Sequence, residues 1–401
     1  MTSINYMLLW FGAAVSIAEI ITGGLFAPLG FAKGAAAIVL GHLVGTTILV
    51  LGGIIGSQTK LPAIVTTRIS FGVYGSYLFA ILNIMQLIGW TAVMIVAGGR
   101  SVNQITKMLW SFDHMTLWSL VIGALIFLWI AAGKDGLKKL NSAAVVLLFA
   151  LTVILSGVVF TNSELFTKQP AGEMTFGGAL ELSVIMPLSW LPLIADYTRF
   201  SKTTSGGAWG SWIGYFAGSC WMYLIGLGAA IVTGDSDPAG MMLAANLGLA
   251  ALGIVILSTV TTTFLDAYSA GVSCTNLVPK ASERKMALAM TVVGTALAIV
   301  INIEQYESFL YAIGSVFAPL FAILLTDYFL LGRQQVDTGL LVNWGAVLVW
   351  IVGVVMYYQF VNLDLVVGAT VPVMIITGAI YAVFARLMAG WRTIRAAKAA
   401  G

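Results

Sequence analysis

Two carboxylates stand in stretches that are otherwise apolar or merely hydroxylated. Glu19 lies within Ser16-Ile17-Ala18-Glu19-Ile20-Ile21, four residues before Gly23, and Asp266 closes the run Thr261-Thr262-Thr263-Phe264-Leu265-Asp266. If these runs cross a membrane, a carboxylate at mid-helix costs about 3 kcal/mol on insertion scales. That cost needs an offset, either a structural hydrogen bond or a ligand or ion. Ser258, Thr262, Asp266, Ser269 and Ser273 follow helical spacing and share one face. A hydroxyl stripe is wasted on lipid, so it is expected to face inward. Hydroxyl oxygens, Ser258 and the Thr261-Thr262 pair among them, suit a hard cation such as Na⁺ beside the freed carbonyls of an interrupted helix. The plainer role for such hydroxyls is bonding back to their own helix. Asn83, Gln86 and Trp90 also share one face. Two amides beside an indole suit a flat heteroaromatic solute, stacked on the ring and hydrogen-bonded at its edge. Ser189 and Trp190 lie beside Pro187 and Pro192. Packing or interfacial anchoring is the plain alternative for both tryptophans. His42 and His114 are isolated in sequence, and Cys220 and Cys274 show no metal or redox spacing, so none is assigned a role.

The elements that must position these groups are membrane helices. Of 401 residues 60% are hydrophobic and 9% charged, against about 25% charged in soluble domains. Apolar runs of about 20 residues fall near 7–31, 34–57, 73–99, 115–133, 140–161, 177–198, 207–233, 244–273, 285–303, 309–331, 341–360 and 365–388. Short connections leave no room for a soluble domain, so the chain is expected to be one transmembrane unit over 1–401. The first apolar run lacks a basic leader and does not read as a cleavable signal peptide. With both termini cytoplasmic, four of the 19 Lys and Arg (Lys33, Arg100, Lys107 and Lys168) fall outside. The other fifteen fall inside, including Lys134, Lys138 and Lys139, and Arg386, Arg392, Arg395 and Lys398 of the tail. This asymmetry sets the orientation. The scattered cations offer no face for nucleic acid.

Helix breakers concentrate in two places. Gly23, Gly24 and Pro28 interrupt the first span, and Pro187 and Pro192 the sixth. Paired interruptions at the starts of two groups of five helices point to a transporter site at mid-depth between inverted repeats. Gly210, Gly214 and Gly218 form a small-residue ridge for close helix packing. Asp196-Tyr197-Thr198-Arg199 and Asp327-Tyr328, ahead of Arg333, read as caps and ion pairs at the inner edge.

In order along the chain, several short motifs resemble the nucleobase:cation symporter-1 family, in its purine and cytosine permease group. They are Thr22-Gly23-Gly24, Arg68-Ile69-Ser70-Phe71-Gly72-Val73, Gly89-Trp90, Ala195-Asp196-Tyr197-Thr198-Arg199-Phe200, Thr261-Thr262 and Asp327-Tyr328. Within the family the chain is most similar to the CytX-type branch, the proposed carriers of hydroxymethylpyrimidine, a thiamine precursor; cytosine permeases come next. The resemblance implies an all-α polytopic membrane protein of about twelve transmembrane helices, LeuT-like. Five-plus-five inverted repeats would cover about 7–161 and 177–331, with two extra helices at about 341–388. It implies Na⁺ held by carbonyls of Val15 and Ala18 and hydroxyls of Thr261 and Thr262. It places Glu19 at a substrate position and Trp90 as one stacking partner. The second partner falls on Pro187, leaving Trp190 as a substitute. Thr263 and Leu265 stand where cytosine permeases carry asparagines, which argues for another substrate.

The expected function is therefore alternating-access symport of a pyrimidine, hydroxymethylpyrimidine with Na⁺. A cytosine or other nucleobase permease, or coupling to H⁺, remains open. Glu19 is expected to grip an aminopyrimidine at two points. A channel would need a continuous polar lining, and a membrane enzyme a nucleophile–base set or metal ligands; the sequence offers neither.

Overall fold

The computed structural model describes residues 1–168, 172–234, 248–300 and 306–400, and every regular element among them is helical. The first span is split into α1 (Ser3–Ala14) and α2 (Ile17–Gly24), which meet at 57°. The second is α3 (Gly30–Thr59). Two single turns, α4 (Ala63–Thr66) and α5 (Arg68–Phe71), lead into α6 (Gly75–Trp110) and α7 (Met115–Phe160). The sixth predicted span is α8 (Phe176–Ser189) with α9 (Leu191–Thr198). There follow α10 (Thr204–Thr233), α11 (Gly248–Leu277), α12 (Glu283–Val300), α13 (Tyr306–Leu325) with a π-turn over Thr326–Leu330, α14 (Trp344–Asn362) and α15 (Thr370–Ala400). Among the described residues eight helices are long and apolar enough to cross a membrane, nine if α1 and α2 form one span.

The runs expected at 115–133 and 140–161 both fall within α7, of which the side chains over 133–145 lie outside the described residues; its described part Met115–Ala132 is long and apolar enough to cross a membrane. The side chains of Lys134, Lys138, Lys139, Arg392, Arg395 and Lys398, and residues 244–247 and 301–303 of two predicted spans, lie outside the described residues.

Close packing explains many glycines. A Cβ on Gly210 or Gly214 of α10 would lie 2.3 Å from the Ser3 carbonyl oxygen or 2.2 Å from that of Met7, so the predicted ridge seats α1 against backbone. On α3, Gly41, Gly45 and Gly56 admit Ser183, Pro187 and Ala195 of α8 and α9 in the same way. The Arg68-to-Val73 motif is a bracket between α11 and the start of α14. Arg68 donates to Asn276 of α11, Asn343 donates to the Ser70 carbonyl, and Gly72 takes φ 82° beside the Leu340 carbonyl. Only glycine adopts that conformation cheaply. At the other end buried Glu181 of α8 accepts from Tyr357 Oη and Thr370 Oγ1 (both 2.6 Å) and from the Ala369 and Thr370 amides (2.7 and 2.8 Å). The carboxylate thus caps the N-terminus of α15 and ties it to α8.

Candidate functional site

The site is framed by the two broken spans. The first break lies at Val15 and Ser16, not at the glycines. Ser16 is extended (φ −133°, ψ 157°), and its hydroxyl accepts from the Glu19 amide at 3.4 Å, starting α2 anew. Gly23 and Gly24 lie inside α2, and Pro28 in the 3₁₀ turn Ala27–Leu29 that follows. Gly23 serves contact instead: a Cβ there would stand 2.2 Å from the Tyr223 carbonyl oxygen. The second break falls where the prolines placed it, with Trp190 between α8 and α9.

Polar side chains meet carbonyls at and just beyond each break. Ser258 Oγ donates to Val15 O at 2.8 Å, and Ala18 O accepts from Thr22 Oγ1 at 2.7 Å and Tyr306 Oη at 3.4 Å. On the other side Gln86 Nε2 donates to Ser189 O at 2.8 Å and Asn83 Nδ2 to Pro192 O at 3.5 Å and Ser273 Oγ at 2.9 Å. The inward hydroxyl stripe of α11 is real: Ser258, Thr262, Asp266, Ser269 and Ser273 are all buried, and Ser269 and Ser273 meet Tyr197 and Asn83. Thr261 and Thr263 bond back to Leu257 O and Thr259 O (2.8 and 2.6 Å). Thr262 Oγ1 is buried with no hydrogen-bond partner among the described residues. Asp266, 3% exposed, has no hydrogen-bonded or ion-paired partner among the described residues.

A backbone carbonyl can only accept, so the bond to Ser189 O sets the orientation of the Gln86 amide. Among the described residues Gln86 Oε1 is left as a buried acceptor without a partner, and so is Asn83 Oδ1. Trp90, 6% exposed, makes T-shaped contacts with Phe309 and Tyr306, with ring centroids 5.4 and 6.1 Å away. Trp190 sits in a different aromatic group, 5.7 Å from Trp10 and 6.5 Å from Tyr215. The Ser189 hydroxyl donates to Met186 O.

Glu19 faces α10. Tyr215 Oη donates to its Oε1 at 3.0 Å and Ser219 Oγ lies 2.6 Å from its Oε2. A two-point grip on a solute would have to share or displace these bonds. Ser219 Oγ is also 2.6 Å from His42 Nε2, and His42 Nδ1 is 2.9 Å from Ile38 O. The isolated histidine of the sequence is thus joined to Glu19. Tyr215, Ser219 and His42 carry no sequence signal, since 196, 200 and 177 positions separate the bonded pairs. At the ends of the sixth and tenth predicted spans Asp196 accepts from the Ala63 amide, Arg199 pairs with Glu283 at 3.6 Å, and Arg333 and Tyr381 both donate to Asp327.

Residues 1–383 match the family model described as permease for cytosine/purines, uracil, thiamine, allantoin. The chain belongs to this permease family. It is 24% identical to the cytosine permease of Escherichia coli K12 over 79% of this chain and 76% of that one. It is 22% identical to the hydantoin permease of Microbacterium maritypicum over 90% and 82%. Among solved structures, Mhp1, a nucleobase-cation-symport-1 family transporter in a closed conformation with bromovinylhydantoin bound, superposes with TM-score 0.82 at 19% identity, covering 97% of this chain and 92% of that one. The fold of this permease is therefore that of Mhp1, as the family resemblance implies. Permease relatives point to a transporter rather than an enzyme.

Proposed function

We propose that this permease is a symporter that imports a pyrimidine, hydroxymethylpyrimidine, with Na⁺. It would work by alternating access in the cytoplasmic (inner) membrane, with both termini inside and the two groups of five helices rocking about the site. The observation that carries the solute class is the pair of buried, unpartnered acceptors Gln86 Oε1 and Asn83 Oδ1 on the helix face of Trp90. A buried acceptor without a donor costs about 1–3 kcal/mol, and the amino group of an aminopyrimidine supplies the missing N–H while its ring lies on the indole. Trp190, Ser189, Thr263 and Asp266 border this region in the proposal, with Asp266 free to accept from a further donor of the solute. Thr263 spends its hydroxyl on Thr259 O, so it cannot replace an asparagine amide in reading cytosine.

Na⁺ fits the neutral oxygens at the first break. Val15 O, Ala18 O, Ser258 Oγ, Thr261 Oγ1 and Thr262 Oγ1 would hold it, and the orphaned Thr262 hydroxyl is the member that most needs a partner. The bound ion would supply charge that steadies the break in the conformation that accepts solute. Thermal stabilisation of the purified protein across hydroxymethylpyrimidine, cytosine, uracil and hydantoin, with and without Na⁺, tests the reading. The expected result is the largest shift for hydroxymethylpyrimidine, and only with Na⁺. A larger shift for cytosine would favour the second reading, a cytosine permease, to which the similarity to the Escherichia coli protein lends weight.

A further inference from the structure

The loop that follows α13 and the ends of the last two helices enclose a cavity that the transport site does not use. Its volume is about 750 Å³, within the roughly 300–1,000 Å³ common to small-ligand sites. It lies where three apolar spans reach their limits. Tyr306–Leu330 ends just ahead of it, Trp344–Asn362 begins in its wall, and the last turns of Thr370–Leu387 supply Tyr381 and Phe384. The cavity therefore sits at the boundary between bilayer and water. Its lining joins these aromatic helix ends to a polar loop that carries Arg333, Gln334, Gln335 and Asp337. Arg333 Nη1 donates to Asp327 at 3.1 Å and to Tyr381 Oη at 3.4 Å. The side chain is 42% exposed, and among the described residues its Nε and Nη2 hydrogens meet no acceptor. A guanidinium is a fixed fork of donors, so the rest of the fork is open to a ligand. Asp337 Oδ1 accepts from the Gly339 amide at 2.9 Å, which leaves the other carboxylate oxygen for a second donor. One cavity thus presents both a cation and an anion. Arg386, a further cation of α15, is not in its wall.

We propose that this cavity binds the headgroup of a phospholipid that carries a primary ammonium, a phosphatidylethanolamine. The phosphate accepts from the open edge of Arg333, with the glutamine amides as further donors. The ammonium donates to Asp337. The surface beside the cavity suits the acyl chains. Trp344 is 70% exposed at the first residue of its span, a place where an indole rests among headgroups. From it an exposed apolar stripe runs along α14 through Leu348, Val352 and Val355. Leu387, Val383, Ile380 and Ile376 make a matching stripe on α15. Other common headgroups fit less well. A phosphatidylglycerol brings net negative charge toward Asp337 with no further cation in the wall, and a choline headgroup has no N–H to donate. An occupied cavity also steadies the contacts around it. Asn343 in the wall donates to Ser70 O, and Tyr381 donates to Asp327. The proposal needs only that α13, α14 and α15 cross a membrane, and does not depend on the solute or the coupling ion.

The test uses the full chain, stripped of lipid in detergent and given phosphatidylethanolamine, phosphatidylglycerol or phosphatidylcholine with identical acyl chains. Phosphatidylethanolamine is expected to raise the midpoint of thermal unfolding by about 2 °C or more, and further than either of the others. Native mass spectrometry from an equal mixture should show it retained over phosphatidylglycerol by at least about threefold, the scale of one modest ion pair. Asp337→Asn keeps an acceptor for the Gly339 amide and loses only the charge, so the variant should fold and the preference should disappear. Free O-phosphoethanolamine at the same concentration should give no shift, because it lacks the chains that hold the lipid on α14 and α15. A shift equal to that of the lipid would overturn the lipid assignment. No preference among the three lipids in wild type, which needs no variant to fold, overturns the headgroup site. So does the same preference in Asp337→Asn.

Discussion

The first and sixth spans are broken by different means. Between α1 and α2 the chain turns by 57° with neither proline nor glycine at the break. Between α8 and α9, with Pro187 and Pro192 flanking Trp190, the turn is no more than 40°. A proline removes one amide donor and pushes the preceding turn aside, but the helix direction is largely kept. At Ser16 the chain leaves helical geometry altogether and a new N-cap restarts it. Carbonyls at and just beyond the break in the first span are met by hydroxyls, and those in the sixth by amides. The former suit a cation, the latter a solute with both donors and acceptors. The seams differ as well. Glycines of α10 lie against bare backbone oxygens of α1 and α2, whereas those of α3 meet mostly side chains of α8 and α9.

The sharpest way to break this comparison is to add one carbon to each seam. On Gly226 a Cβ would stand 2.0 Å from Ile20 O; on Gly52 it would meet only side chains, Leu191 Cδ1 at 2.5 Å and Ile194 Cγ2 at 3.4 Å. Gly226→Ala must move backbone and is expected to cost about 3 kcal/mol or more, with Gly52→Ala costing less because the Leu191 end can turn aside. Thermal unfolding in detergent ranks them, and the reverse order would undo the claimed difference between seams. Next comes Trp90→Ala, expected to weaken solute binding at least about tenfold, while Trp90→Phe keeps part of it. Full affinity in the alanine variant, read by calorimetry, would move the solute away from this face.

Gln86→Leu removes the donor for Ser189 O and an orphaned acceptor together. The carbonyl left bare should lower stability by about 1–3 kcal/mol, and preference for amino-substituted rings should narrow. Unchanged ranking of a pyrimidine panel would separate the amide from recognition. The smallest effect on folding is expected from Thr262→Ala, whose hydroxyl has no partner among the described residues to lose. Its stability should stay within about 0.5 kcal/mol, yet Na⁺ should no longer strengthen solute binding, nor solute Na⁺ binding. Retained Na⁺ dependence would remove this hydroxyl from the ion site.

Much of the fold was legible because a bilayer imposes long apolar runs and few charges, and these survive as counts in a linear string. The ridge at Gly210, Gly214 and Gly218 and the hydroxyl stripe of α11 were legible for a similar reason: helical spacing alone decides which residues share a face. The break at Pro187 and Pro192 could be read because proline acts on its own backbone. The break at Ser16 could not. Serine is ordinary in membrane helices, and only the packing of α1 and α2 along α10 holds it in the capping conformation. Gly23 misled for the complementary reason, since glycine signals both flexibility and closeness, and only the approach of Tyr223 shows which applies. His42 read as inert because its meaning depends on Ser219 and Glu19, which share neither its helix nor its spacing. By itself the sequence determined where the helices run, which faces are polar and that costly groups sit at mid-depth. The tertiary structure alone decided which of those groups touch, because hydrogen bonds between helices act over about 3 Å and carry no trace in the order of residues along the chain.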